Sequence, residues 1–151
     1  MPDQKQTPQM SGNSSKSQTQ QTGEANPAQN KVILLIEDDP VLCRMYSEKF
    51  KREGFSVLTA LDGQKGLKMA LTEKIDLILL DIMLPRISGI DLLDQLRKDP
   101  KGRDIKVIAL TNLADAAEKE KAMKLGVKDY LVKAMQTPEQ VVDKIKTYIS
   151  S

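Results

Sequence analysis

Apolar residues in this chain follow two rhythms. Short apolar runs occur at 31–36 (KVILLI), 55–60 (FSVLTA), 75–81 (IDLILLD), 106–111 (KVIALT) and 127–132 (VKDYLV). Three of them are continuously apolar rather than alternating, as expected of parallel strands covered on both faces. Between the runs lie amphipathic stretches with marked starts. Asp39 and Pro40 supply an N-cap and a first-turn proline, after which Leu42, Met45, Tyr46 and Phe50 form one apolar face that ends before Gly54. Ser88, with Asp91 three residues on, opens a helix that stops before Pro100. Thr137, Pro138 and Gln140 form a capping box ahead of Val141, Val142, Ile145 and Ile149. Two further helices are expected at about 64–73 and 113–125. The pattern is a βα unit repeated five times. Right-handed crossovers turn such a repeat into an α/β fold: a doubly wound five-stranded parallel sheet in a three-layer αβα sandwich.

The first thirty residues break this rhythm. They are rich in Gln, Ser, Thr, Asn and Pro and nearly devoid of large apolar side chains, so they cannot bury enough surface to offset the entropy of ordering. They also lack the apolar core of a secretory signal, and no run elsewhere could span a bilayer. The expectation is a disordered tail over 1–30 and one folded domain over 31–150, in the cytoplasm and without membrane contact. The net charge of +2 lacks the excess of a dedicated nucleic-acid binder, so no direct nucleic-acid contact is expected. One cysteine, Cys43, and no histidine exclude a disulfide framework, a Cys-His or Ser-His-Asp catalytic set and an HExxH zinc site.

In a doubly wound sheet the functional crevice lies at the carboxyl ends of the strands. The first run ends in Glu37-Asp38-Asp39, the third in Asp81, the fourth in Thr111-Asn112, and the fifth leads into Lys133. If the first and third strands are neighbours, Glu37, Asp38 and Asp81 converge. Crowded carboxylates raise one another's pKa and destabilise the fold unless a counter-charge is present, and Mg²⁺ suits an all-oxygen cluster that handles phosphate. Asp39 reads instead as the cap of the first helix.

This ordered set, an acidic pair after the first strand, an aspartate in LLDIMLPRISGIDLL, a threonine in VIALTN and a lysine after DYLV, resembles the receiver domain of two-component response regulators. The resemblance covers about residues 31–150 and implies a flavodoxin-like fold. It further implies that Asp81 is the phosphoacceptor, supplied by a sensor histidine kinase or a phosphotransfer protein. Asp38, Asp81 and the Met83 backbone carbonyl would ligate Mg²⁺, and Glu37 would act through bound water. Lys133 would neutralise phosphoryl charge, while Thr111 and Tyr130 would form the switch, although Tyr130 could equally serve packing. The signal would pass to a downstream protein through the fourth helix, fifth strand and fifth helix, in a monomer or a phosphorylation-dependent dimer. No output domain fits within 151 residues, so a stand-alone receiver is expected.

Two departures stand out. Alanine, not proline, follows Lys133, and Asn112 replaces the small residue common after the threonine. The family's lysine loop usually contains a cis peptide, which before a non-proline residue costs about 2.5–4 kcal/mol. Alternatives from other classes fit less well. An unphosphorylated receiver-like adaptor keeps the fold without the chemistry. An aspartyl-phosphate phosphatase of the haloacid dehalogenase type would need an aspartate where Met83 stands, so turnover of an external substrate is not expected. A flavodoxin-like cofactor binder would need a phosphate-binding loop where this chain is acidic. GQKG at 63–66 resembles a KH-type GXXG loop but reads better as a turn into the second helix.

Overall fold

The computed structural model describes residues 26–112 and 114–150. In chain order the elements are β1 (Val32–Ile36), α1 (Pro40–Arg52), β2 (Ser56–Ala60), α2 (Gly63–Thr72), β3 (Leu77–Asp81), α3 (Gly89–Lys98), β4 (Lys106–Thr111), α4 (Ala116–Lys124), β5 (Asp129–Val132), a 3₁₀ turn (Lys133–Met135) and α5 (Pro138–Ile149). The five strands form one parallel sheet in the order β2-β1-β3-β4-β5. The order reverses between β1 and β3, which places the crevice beside the acidic strand ends.

Alternate residues of the buried strands feed two cores, as the two-residue period of a strand requires. Ile33, Leu35, Leu77, Leu79, Ile108 and Leu110 face α1 and α5, where Phe50, Val142 and Ile145 cover them. Leu34, Ile36, Ile78, Leu80, Val107 and Ala109 face α2, α3 and α4, where Ala70, Leu92, Leu96 and Ala122 cover them. Both faces of the sheet are therefore dry, which explains the continuous apolar runs.

The helix starts follow the capping chemistry read from the sequence. Asp39 accepts from the amides of Val41 and Leu42, Ser88 from that of Asp91, and Thr137 and Gln140 complete a reciprocal box. GQKG is the first turn of α2, capped by Asp62, and Gly66 lies against Ile36 so closely that a Cβ would meet its Cδ1 at 2.6 Å. The fourth helix begins later than expected, at Ala116, because Asp115 caps it by accepting from Ala117 and Glu118.

The domain boundary also moves. Residues 1–25 of the expected tail lie outside the described residues, but Asn26–Asn30 pack on the domain. Ala28 is fully buried in the core that contains Phe50 and Phe55. The Asn26 side chain accepts from Ala28 N and donates to the Glu53 carbonyl, beside Gly54, whose φ of +106° turns the chain into β2. The folded part thus starts about five residues before Lys31. Among the described residues no helix is long and apolar enough to cross a membrane.

Candidate functional site

Strand register assembles the site. Ile36 pairs with Leu80, so the residues that follow, Glu37 and Asp81, fall side by side at the carboxyl rim. Thr111 pairs with Val132, so Lys133 emerges one residue beyond it on the outer strand. Helix α3 approaches β3 closely at Gly89, whose amide donates to the Ile82 carbonyl. A Cβ at Gly89 would come within 2.8 Å of the Asp81 carbonyl, so a larger residue would push the strand end out of place.

Three polar residues of this rim are nearly inaccessible: Glu37 at 1%, Asp81 at 3% and Thr111 at 1% relative exposure. Buried charges persist only when they are paired, and here Lys133 supplies the pairing. Its Nζ lies 2.6 Å from Glu37 Oε1 and 3.2 Å from Asp81 Oδ2. The other Asp81 oxygen, Oδ1, accepts from the Met83 amide at 2.9 Å, and Glu37 Oε2 accepts from the Asp39 amide at 3.1 Å. Burial pushes the Glu37 carboxyl above its ordinary range, against the opposing hydrogen bond from Lys133. For Lys133, burial pulls the ammonium down, but the Glu37 hydrogen bond and the Asp81 charge outweigh it, so its pKa is raised. Lys133 is therefore a firmly held cation between two carboxylates.

Asp38 differs from its neighbours in being exposed. Carboxylate oxygens of Glu37, Asp38 and Asp81 all lie within 4.8 Å of one another. Three hard oxygen donors this close, two buried and one open to solvent, fit a hard divalent cation of the Mg²⁺ kind and no soft metal. Asp39, as expected, is occupied as the α1 cap. Met83 is half exposed; it borders a groove of about 440 Å³ together with Asp38, Leu84 and Ser88.

These positions match a known family along most of their length. Residues 33–146 match the Response regulator receiver domain. The chain belongs to this family. Among curated relatives, the receiver domain is 37% identical over 109 residues to the DNA-binding dual master transcriptional regulator RpaA of Synechocystis, covering 72% of this chain and 45% of that protein. It is 35% identical over 120 residues to the alkaline phosphatase synthesis transcriptional regulatory protein PhoP of Bacillus subtilis, covering 80% and 49%. The chain thus spans about half the length of these relatives. Among solved structures, it resembles the receiver domain of sensor histidine kinase PA1611 from Pseudomonas aeruginosa PAO1, which holds a magnesium ion in its active-site cleft (TM-score 0.73, 29% identity, 80% of this chain and 98% of that one). A CheY-like receiver domain protein from Methanospirillum hungatei JF-1 gives a TM-score of 0.74 at 28% identity, covering 80% and 94%.

The two departures from the family pattern have structural outcomes. No peptide bond among the described residues is cis. The Lys133-Ala134 bond is trans, and Lys133 reaches both carboxylates from the start of the 3₁₀ turn. Asn112 is exposed and borders, with Tyr46, Lys133 and Ala134, a cleft of about 380 Å³ next to the site. Tyr46, read from the sequence only as part of the apolar face of α1, thus also borders the site.

Tyr130 is turned inward, 8% exposed, on the α4 side of the sheet. Burial pushes its phenol up, and the nearby Thr111 side chain works in the other direction. The Tyr130 hydroxyl is buried and makes no hydrogen bond of good geometry among the described residues. Beside it lies a depression of about 260 Å³ that reaches Ala114, Asp115 and Lys119 at the start of α4.

Proposed function

We propose that Asp81 is the phosphoacceptor of a two-component phosphorelay, taking its phosphoryl group from a phosphohistidine of a sensor kinase or phosphotransfer protein in the cytoplasm. One Asp81 carboxylate oxygen attacks phosphorus, the P–N bond to the donor imidazole breaks, and its electron pair stays on that nitrogen, which takes up a proton. The result is an acyl phosphate on Asp81. The observation that carries this reading is the Asp81 environment: a buried carboxylate fixed by the Met83 amide on one oxygen and by Lys133 on the other.

Phosphoryl transfer depends on positioning and on neutralising charge over the phosphoryl oxygens. Lys133 would hold its positive charge beside those oxygens, and the Met83 amide would orient the attacking carboxylate. Glu37, Asp38, Asp81 and the Met83 carbonyl would hold Mg²⁺, with Glu37 acting through water, and the bound ion supplies further charge neutralisation. Thr111, buried beside the strand end, would turn its hydroxyl to the new phosphoryl group. Tyr130, buried beside Thr111, would gain hydration of its hydroxyl in an outward rotamer. Its movement would alter the surface formed by α4, β5 and α5, where a downstream protein binds. Met83 stands where a second acid-base aspartate would be needed for catalytic turnover, so the domain promotes its own modification without acting on an external substrate.

Incubation with acetyl phosphate and Mg²⁺ tests the reading. Intact mass should rise by one labile phosphoryl group, and the gain should vanish in Asp81→Asn. An unchanged yield in Asp81→Asn would assign the chemistry elsewhere, and no adduct on the parent protein would favour a receiver-like adaptor.

A further inference from the structure

The amino ends of the strands, opposite the acidic rim, carry the reverse charge. Two adjoining depressions of about 360 and 230 Å³ share Asp104, Ile105 and Lys106 and form one groove. Six cationic side chains border it (Lys31, Arg97, Lys101, Arg103, Lys106 and Lys128) against two carboxylates, Asp76 and Asp104. Lys101, Arg103 and Lys128 are exposed. Asp76 already accepts from the Val32 amide at 2.8 Å. Arg97 is fixed by donating to the carbonyls of Leu125, Gly102 and Ile105, which satisfies its hydrogen bonds but leaves its charge.

A groove with this excess of positive charge attracts an anionic partner, and its lining selects which kind. Among the described residues, no aromatic side chain borders it on which a base could stack. Its lining includes Ile75, Ile105 and Pro100, which suit apolar side chains, and its two carboxylates oppose a phosphate backbone but can accept from peptide amides. We propose that this groove docks an acidic peptide segment of a partner protein, one whose acidic residues are interspersed with aliphatic ones. The site is remote from Asp81, so its occupancy does not depend on the phosphoacceptor reading.

Titration of the ¹⁵N-labelled protein with a glutamate-rich peptide carrying interspersed leucines tests the proposal, beside Arg103→Glu/Lys128→Glu, a lysine-for-glutamate version of the peptide, and oligothymidylate. The acidic peptide should shift amides of residues 101–106 and 128, and added salt should weaken the effect. The double variant should bind roughly tenfold or more weakly, as expected when charge complementarity is reversed, while its amide spectrum remains that of a folded domain. Equal binding by parent and variant would overturn the proposal. So would shifts confined to the acidic rim, binding of the lysine peptide, or tighter binding of oligothymidylate.

Discussion

The two ends of the sheet handle charge in opposite ways. At the carboxyl end, Glu37 and Asp81 are buried and locked to Lys133. At the amino end, Lys101, Arg103 and Lys128 stand in solvent, while half-buried Arg97 and Lys106 donate to backbone carbonyls. Removing a charge at the first end leaves another buried and unpaired, whereas at the second end it mostly changes a surface. The carboxyl end thus concentrates paired, buried charge, and the amino end exposed charge around a hydrogen-bonded Arg97.

The sharpest contrast should come from two lysines. Lys133→Ala should slow phosphorylation of Asp81 by acetyl phosphate on the order of 10²-fold, the usual cost of removing one preorganised charge-stabilising group. Lys101→Ala should leave that rate unchanged. A near-normal rate in Lys133→Ala, read by the time course of intact mass, would remove this lysine from the mechanism.

A second contrast concerns Arg97 and its exposed neighbour. Arg97→Ala strips donors from carbonyls of both the α3–β4 loop and the C-terminal end of α4, and should cost roughly 2–3 kcal/mol in urea unfolding. Arg103→Ala should stay within about 0.5 kcal/mol of the parent. Equal effects would mean that the amino end has no structural core of its own.

Within the acidic rim, Asp38 and Asp39 should separate. Mg²⁺ should raise the melting temperature of the parent and of Asp39→Asn, since asparagine caps about as well as aspartate. In Asp38→Asn the Mg²⁺ concentration needed for the same rise should increase roughly tenfold or more, as expected when a direct oxygen ligand is lost. The same dependence in both variants would refute the division into ligand and cap.

The smallest effect lies at the domain boundary. Deleting residues 1–25 should leave urea stability unchanged. Extending the deletion through residue 29 removes buried Ala28 and the Asn26 hydrogen bonds and should cost about 1 kcal/mol. No added cost would return the boundary to Lys31.

What could be read from the sequence was local or set by register. Asp39, Ser88 and Thr137 announce their helices because a cap acts on amides two or three residues away. Glu37, Asp81, Thr111 and Lys133 could be brought together from the sequence because parallel strands carry their ends to one rim. The rest depends on contacts that no local pattern encodes. Ala28 is one small residue in a polar stretch, and its burial depends on the turn at Gly54 and on Phe50 and Phe55. The start of α4 is hard to read because AAEKEKAMK has almost no apolar face, burying Ala122 alone, so only the Asp115 cap marks it. Arg97 reads as one of the basic residues that commonly end a helix, yet its guanidinium meets the Leu125 carbonyl 28 residues away. The sequence leaves the isomer of the Lys133-Ala134 bond open, and the 3₁₀ turn at Lys133–Met135 delivers the ammonium through a trans one.

The central claim is that the buried carboxylate between Met83 and Lys133 accepts the phosphoryl group. Borohydride reduction of the acetyl-phosphate-treated protein converts an acyl-phosphorylated aspartate to homoserine, and peptide mapping then locates it in the unmutated chain. The account predicts homoserine at position 81 alone. Homoserine at position 38, or at any other aspartate with position 81 intact, would contradict it.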